Sequence, residues 1–278
     1  MRLGTLRSDG ATVAVRIDGD DAVQIEGFVD VGALLRSANW RAQAQAADGR
    51  RRPLTSIDAA AWAPPVLAPT KIVCVGLNYR NHILEMGREL PEFPTLFAKF
   101  AESLIGPNDP IALPPEAATH VDWEGELAVV IGRPTRRVDR DAAAESIAGY
   151  AVFNDVTMRD FQYRTTEWMQ GKSWEASSPL GPQIVTADEW SPGPTLQTSV
   201  DGETVQSVST ADLVFDPTAL VSYISQIFTL QPGDIIATGT PGGVGHARKP
   251  PRYLAAGSVL ETTIEGLGAQ RNAVVREQ

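Results

Sequence analysis

At 278 residues the chain is long enough to bury a substantial core, as one large domain or two unequal ones. Hydrophobic residues make up 43% and charged residues 21%, a globular and turn-rich balance without a low-complexity tract. With 34 acidic against 24 basic residues the formal charge is −10, which argues against nucleic acid as a partner, and no apolar stretch nears the roughly 18 residues of a membrane span.

In chain order, residues 2–26 alternate apolar runs with Ser8-Asp9-Gly10 and Asp18-Gly19-Asp20, which is hairpin chemistry, and a brief helix is expected over Val31 to Ser37. The proline-rich stretch Ala63-Pro64-Pro65-Val66-Leu67-Ala68-Pro69 interrupts both periodicities and predicts a boundary. A small N-terminal domain is therefore expected over residues 1–68 and a larger one over 69–278. The lone Cys74 can form no internal disulfide, which fits a reducing cytoplasm, and inside Ile72-Val73-Cys74-Val75 it reads as a small buried hydrophobe.

Strand signals dominate the larger region: Lys71 to Val75, Pro94 to Lys99, Glu126 to Ile131, Tyr150 to Asn154, Gly181 to Val185, Leu196 to Val200, Asp234 to Thr238 and Val259 to Ile264. Helices are expected over Asn78 to Met86, Ala142 to Ile147, Met158 to Gln170 and Pro217 to Phe228. Many short strands with few crossover helices predict a β-rich α+β fold and not a doubly wound sheet.

Candidate chemistry begins in the helix that Gly87 should end as a C-cap. His82 and Glu85 are three residues apart and share a helix face, where the carboxylate can raise the imidazole's basicity. The polar, turn-rich segment after them suits a mobile lid. Next comes the run Asp122-Trp123-Glu124-Gly125-Glu126, with Asp139 and Asp155 beyond it. Glu124 and Glu126 are two apart before an apolar run, so on a strand both side chains point to one face. Two such carboxylates repel unless a cation or proton lies between them. Asp155 closes the next apolar strand and completes an all-oxygen set, so Glu124, Glu126 and Asp155 read as ligands of Mg²⁺ or Mn²⁺. The bland alternative is a solvated strand face with Asp155 as a helix N-cap.

Arg159 and Gln162 follow Asp155 by four and seven residues and would stack on one helix face. Lys172 could hold negative charge on a substrate beside the metal. The loop Thr238-Gly239-Thr240-Pro241-Gly242-Gly243-Val244-Gly245 leaves a strand end with backbone N–H groups able to approach a carboxylate, and Thr240 offers a further donor. It lacks the Gly-Lys-Ser/Thr ending of a phosphate loop. His120 and His246 lack zinc spacing.

These motifs, joined by Gly76-Leu77-Asn78-Tyr79-Arg80-Asn81-His82, Pro94-Thr95-Leu96-Phe97-Ala98-Lys99 and Asn154-Asp155-Val156-Thr157-Met158-Arg159-Asp160, resemble the fumarylacetoacetate hydrolase superfamily from about Lys71 to Val275. The resemblance implies a mixed β-sandwich-roll, usually dimeric, with a small N-terminal domain in many members. It also implies one Mg²⁺ or Mn²⁺ on Glu124, Glu126 and Asp155, and a His82–Glu85 lid dyad. Lys172 and Gln162 should lie beside a 2-oxo acid whose carboxylate Thr240 helps to hold, with Tyr79 as a further substrate contact. The expected activity is C–C hydrolysis of an acylpyruvate-type 1,3-diketo acid, with fumarylpyruvate one candidate. In that reading His82 activates water, and Arg159 or Arg164 holds a second carboxylate. The alternative activities are isomerisation of a 2-hydroxy-dienedioate and oxaloacetate decarboxylation; a silent small-acid-binding member is the third possibility.

Overall fold

The computed structural model describes residues 1–278 apart from Asp9, Met86, Ala117, Ala118 and Gln278. It is a strand-rich α+β fold built on two packed sheets. In the larger sheet the central strand Gly125–Ile131 lies antiparallel between Ile147–Asn154 and Ile235–Ala237. Ile72–Gly76 pairs parallel to Ile235–Ala237 and antiparallel to Thr95–Lys99. These central strands are near-continuous apolar runs because both faces are covered; every residue of Gly125–Ile131 and of Ile147–Asn154 is buried.

The N-terminal residues extend the same sheet. Arg2–Ser8 pairs with Ile184–Thr186, and Leu3, Val31, Leu34 and Val66 share one apolar cluster with Ile72, Ala128, Ala151 and Ile235. The expected brief helix is Val31–Leu35, where the Asp30 side chain accepts from the Ala33 N–H.

The second sheet runs Glu203–Ser209, Thr195–Val200, Val259–Ile264, Gly268–Arg276 and Ile111–Leu113. Leu196 and Ile264 from it pack with Leu127, Val129 and Val152. Gly125 is a point of close approach, since a Cβ there would lie 2.2 Å from Thr198 Oγ1. The small residue between the two glutamates thus lets the sheets meet at the carboxylates.

Three helices fall close to expectation. Pro217–Ile227 begins on an Asp216 cap with proline in its first turn, and Arg140–Ser146 begins on Asp139. Asp139 is thereby a capping residue and not part of an acidic site. The helix expected over Asn78 to Met86 is Arg80–Glu85, because Tyr79 is held in a bridge to Leu213; Met86 lies outside the described residues. The continuous helix expected over Met158 to Gln170 does not form. Thr157–Met158 is extended, and two single turns follow, Arg159–Gln162 and Met169–Lys172. Between them the Thr165 hydroxyl donates to the Glu167 carbonyl, a local bond that competes with the helix.

Candidate active site

The carboxylates sit where central strands begin and end. Glu124 immediately precedes Gly125–Ile131, Glu126 is that strand's second residue, and Asp155 follows Ile147–Asn154. Two bonds lock this corner: the Asp155 N–H donates to the Glu124 carbonyl at 2.8 Å, and the Glu124 N–H to Asn154 Oδ1 at 2.9 Å. The result is three buried carboxylates, each offering an oxygen, with those oxygens within 4.8 Å of one another.

Buried cations surround them. Lys172 Nζ lies 2.7 Å from Glu124 Oε2 and 2.7 Å from Asp155 Oδ2, while Lys99 Nζ reaches Asp155 Oδ1 at 2.7 Å. Arg159 joins Glu124 at 2.7 Å and Asp122 at 2.8 Å, and its guanidinium donates to Gln162 Oε1 at 2.9 Å. Lys172 reaches this position because Gly171 lets its turn pack on the preceding one; a Cβ there would lie 2.5 Å from Gln162 Cβ.

Four buried carboxylates therefore face three buried cations, one positive charge short of balance. The imbalance appears at Glu126, which has no ion pair among the described residues. Burial, with the Asp155 and Glu124 charges adding to it, pushes its carboxyl well above the usual range. Burial would also raise Asp155, but Lys172 and Lys99 outweigh it and the net shift is downward. Burial works against the charge of Lys172, yet Asp155 and Glu124 hold its pKa above the ordinary value. An all-oxygen pocket that is short of positive charge fits a hard divalent cation.

The glycine loop after Ile235–Ala237 does bind carboxylates, and they are the protein's own. The Gly239 N–H donates to Glu126 Oε2 at 2.8 Å, and the Gly245 and His246 N–H groups donate to the two oxygens of Asp122 at 2.7 and 2.9 Å. Gly239 must be glycine: its φ is +100°, and a Cβ would meet the Val75 carbonyl at 2.9 Å. The Thr240 hydroxyl lines the cavity but already donates to the Gly125 carbonyl and accepts from Gln206.

A cavity of about 370 Å³ opens above the carboxylates, within the range of small-ligand sites. Glu124, Glu126, Arg159, Gln162, Lys172 and Thr240 line it, as do His82 and Arg88 from the expected lid and an apolar wall of Phe97, Tyr163 and Trp168. Tyr79 does not; it is fully buried, its hydroxyl has no hydrogen-bond partner among the described residues, and burial with the Glu126 charge pushes its pKa up. Glu85 is exposed and outside the lining, and no hydrogen bond joins it to His82 among the described residues. It acts on the half-buried ring through charge: burial lowers the His82 pKa, and Glu85 opposes that shift in part. Arg164 is also outside the lining, with its guanidinium stacked 3.4 Å from the Phe161 ring centroid.

Sequence reasoning assigned no site role to Lys99, Asp122, Asn154 or Gln206. A lysine closing an apolar strand was the available signal for the first, and an aspartate beside a buried tryptophan for the second.

A family model described as fumarylacetoacetate (FAA) hydrolase C-terminal matches residues 71–275. The mitochondrial oxaloacetate tautomerase of Rattus norvegicus is 42% identical over 251 residues, covering 89% of this chain and 78% of the relative. The fumarylacetoacetate hydrolase from psychrophilic Exiguobacterium antarcticum is similar in structure with a TM-score of 0.89 at 34% identity, each chain covered in full. The 5-carboxymethyl-2-hydroxymuconate delta-isomerase from Mycobacterium smegmatis gives 0.83 at 37% identity, again over both full chains.

Proposed function

This chain belongs to the fumarylacetoacetate hydrolase family, and from that premise we propose a metal-dependent isomerase that moves a proton within an enolisable 2-oxo acid. Relatives named as an oxaloacetate tautomerase and a hydroxymuconate isomerase support this over the C–C hydrolysis expected from sequence. Glu124, Glu126 and Asp155 would hold Mg²⁺ or Mn²⁺. When bound, the ion supplies Lewis-acid stabilisation of negative charge on the 2-oxo acid's oxygens.

The observation that carries the reading is the free ring of His82. It lines the cavity without a hydrogen-bond partner among the described residues, whereas the ring of His246 is tied to Tyr253 at 2.9 Å. With a lowered pKa, His82 is a neutral base at pH 7. Lys172, held as an ammonium by two carboxylates, cannot take a proton but can steady anionic oxygen nearby. A single neutral base that takes a proton from one atom and returns it to another suffices for tautomerisation. Hydrolysis needs in addition a water held against that base, and Glu85, the expected orienting partner, makes no hydrogen bond to the ring among the described residues. Gln162, whose oxygen is engaged by Arg159, has its amide NH₂ left to donate to the acid. A homodimer is part of this proposal and is checked by mass in solution.

The test is the rate of oxaloacetate keto–enol conversion, followed by enol absorbance with Mg²⁺ or Mn²⁺ and corrected for the free ion. Rapid acylpyruvate cleavage without faster tautomerisation would return the site to hydrolysis. The pH profile is a second check. Neutral His82 is the active form, so kcat/KM should fall with pH through a value below the ordinary imidazole pKa of about 6.5. Glu85→Gln removes a charge that raises this pKa and should move the acid limb to lower pH. An upward move would show that another group titrates.

A further inference from the structure

Most cations near the cavity are already spent. Arg159 and Lys172 are bound by carboxylates, Lys99 by Asp155, and Arg164 by the Phe161 ring. Arg88 is different: it lines the cavity, it is exposed, and its side chain has no ion pair or hydrogen bond among the described residues. It lies close enough to His82 for its charge to lower the imidazole pKa.

Its placement is built into the end of the helix Arg80–Glu85. Gly87 has φ +68°, its N–H donates to the Leu84 carbonyl at 2.9 Å, and the Arg88 N–H returns to the Ile83 carbonyl at 3.2 Å. This paired closure turns the chain back at a left-handed residue. Ile83, the carbonyl that Arg88 is tied to, belongs to a residue only 2% exposed. His82 and Arg88 are therefore carried on one anchored turn.

We propose that Arg88 binds the distal carboxylate of a dicarboxylic 2-oxo acid whose proximal end lies at the Glu124–Glu126–Asp155 cluster, and that this contact draws His82 into place. The proposal rests on the 2-oxo acid reading above. Binding energy from the remote carboxylate would then be used on the position of the base, which makes Arg88 a specificity and positioning residue. It replaces Arg159 and Arg164 as the expected partner of a second carboxylate.

The experiment is calorimetric binding to the full chain with Mg²⁺, using 2-oxo acids of equal length with and without a terminal carboxylate. The pairs are oxaloacetate with 2-oxobutyrate, 2-oxoglutarate with 2-oxovalerate, and 2-oxoadipate with 2-oxohexanoate. Wild type should prefer the diacid of at least one pair by about tenfold or more, the scale of a charge-assisted contact. In Arg88→Gln that ratio should fall toward one, and Arg88→Lys should restore part of it. Arg88→Gln should also lower kcat on the preferred diacid as well as raising KM, a split that a merely structural role would not give. An undiminished diacid preference in Arg88→Gln, or no preference in wild type, would overturn the proposal. Because affinity is read separately from the reaction rate, diacid preference in a protein inert as a tautomerase would overturn the proposed reaction and leave Arg88 its role.

Discussion

Glu126→Gln is expected to abolish turnover and the thermal stabilisation given by Mg²⁺ or Mn²⁺, while leaving the metal-free protein about as stable as wild type. Glu126 is the one cluster member without an ion pair among the described residues; it accepts the Gly239 N–H at 2.8 Å, and a glutamine oxygen can accept the same bond. Burial and two neighbouring carboxylates already favour its neutral form when no cation is bound, so an uncharged amide replaces it at little cost. What the substitution removes is the charge a cation needs. At a metal concentration a hundredfold above Kd the wild type should gain about 2.7 kcal/mol, and the variant should gain none. Glu124→Ala should behave differently, because it leaves the buried Arg159 and Lys172 each short of a partner. Breaking buried pairs typically costs about 3–5 kcal/mol, so that variant should be less stable before any metal is added. Scanning calorimetry of both variants with and without Mn²⁺ separates the two effects. A Glu126→Gln protein that still gains stability from Mn²⁺ would remove Glu126 from the ligand set.

His82→Ala should slow the reaction roughly 10²- to 10⁴-fold, the usual contribution of a positioned general base, with Mn²⁺ affinity unchanged. The imidazole lies over the glycine loop, where a Cβ added at Gly242 would sit 2.9 Å from His82 Nδ1. The ring can occupy this position because Gly242 carries no side chain. Glu85→Gln should cost much less than His82→Ala, since Glu85 acts only through charge. Added imidazole should recover part of the rate in His82→Ala at neutral pH. A His82→Ala enzyme with the wild-type rate would transfer the base to another residue.

The carboxylate cluster was legible because a period of two is all that puts Glu124 and Glu126 on one face, and because an apolar strand ending in aspartate marks a strand terminus. The strand content was legible for a related reason: runs such as Leu127 to Ile131 and Tyr150 to Phe153 are too short and too uniformly apolar for an amphipathic helix. What could not be read were partners fixed by packing between distant segments. Lys99 and Asp155 are 56 positions apart and meet through sheet geometry, and Asp122 meets Gly245 through a loop 123 residues away. The glycine loop has the sequence of an anion site, but nothing local says that the anions are Glu126 and Asp122. The Met158 to Gln170 stretch reads as one helix, but its Thr165-Thr166 pair and aromatic residues weaken that signal, and the turn at Thr165 and the seat for Gly171 divide it.

The ion-pair cluster also bears on how the chain reaches its native state. Its charges come from well-separated stretches around residues 99, 122–126, 155–159 and 172, and each is neutralised only by a group from another stretch. Such long-range pairings close large loops, whose entropy must be lost before the contacts can repay it. The cluster is therefore expected to form late in folding, after the apolar strands have docked, and substitutions in it should speed unfolding while leaving the refolding rate nearly unchanged in stopped-flow measurements. Interactions absent from the folding transition state change the unfolding rate and leave the folding rate almost untouched. An ion that binds here would lengthen the lifetime of the folded protein without hastening its formation.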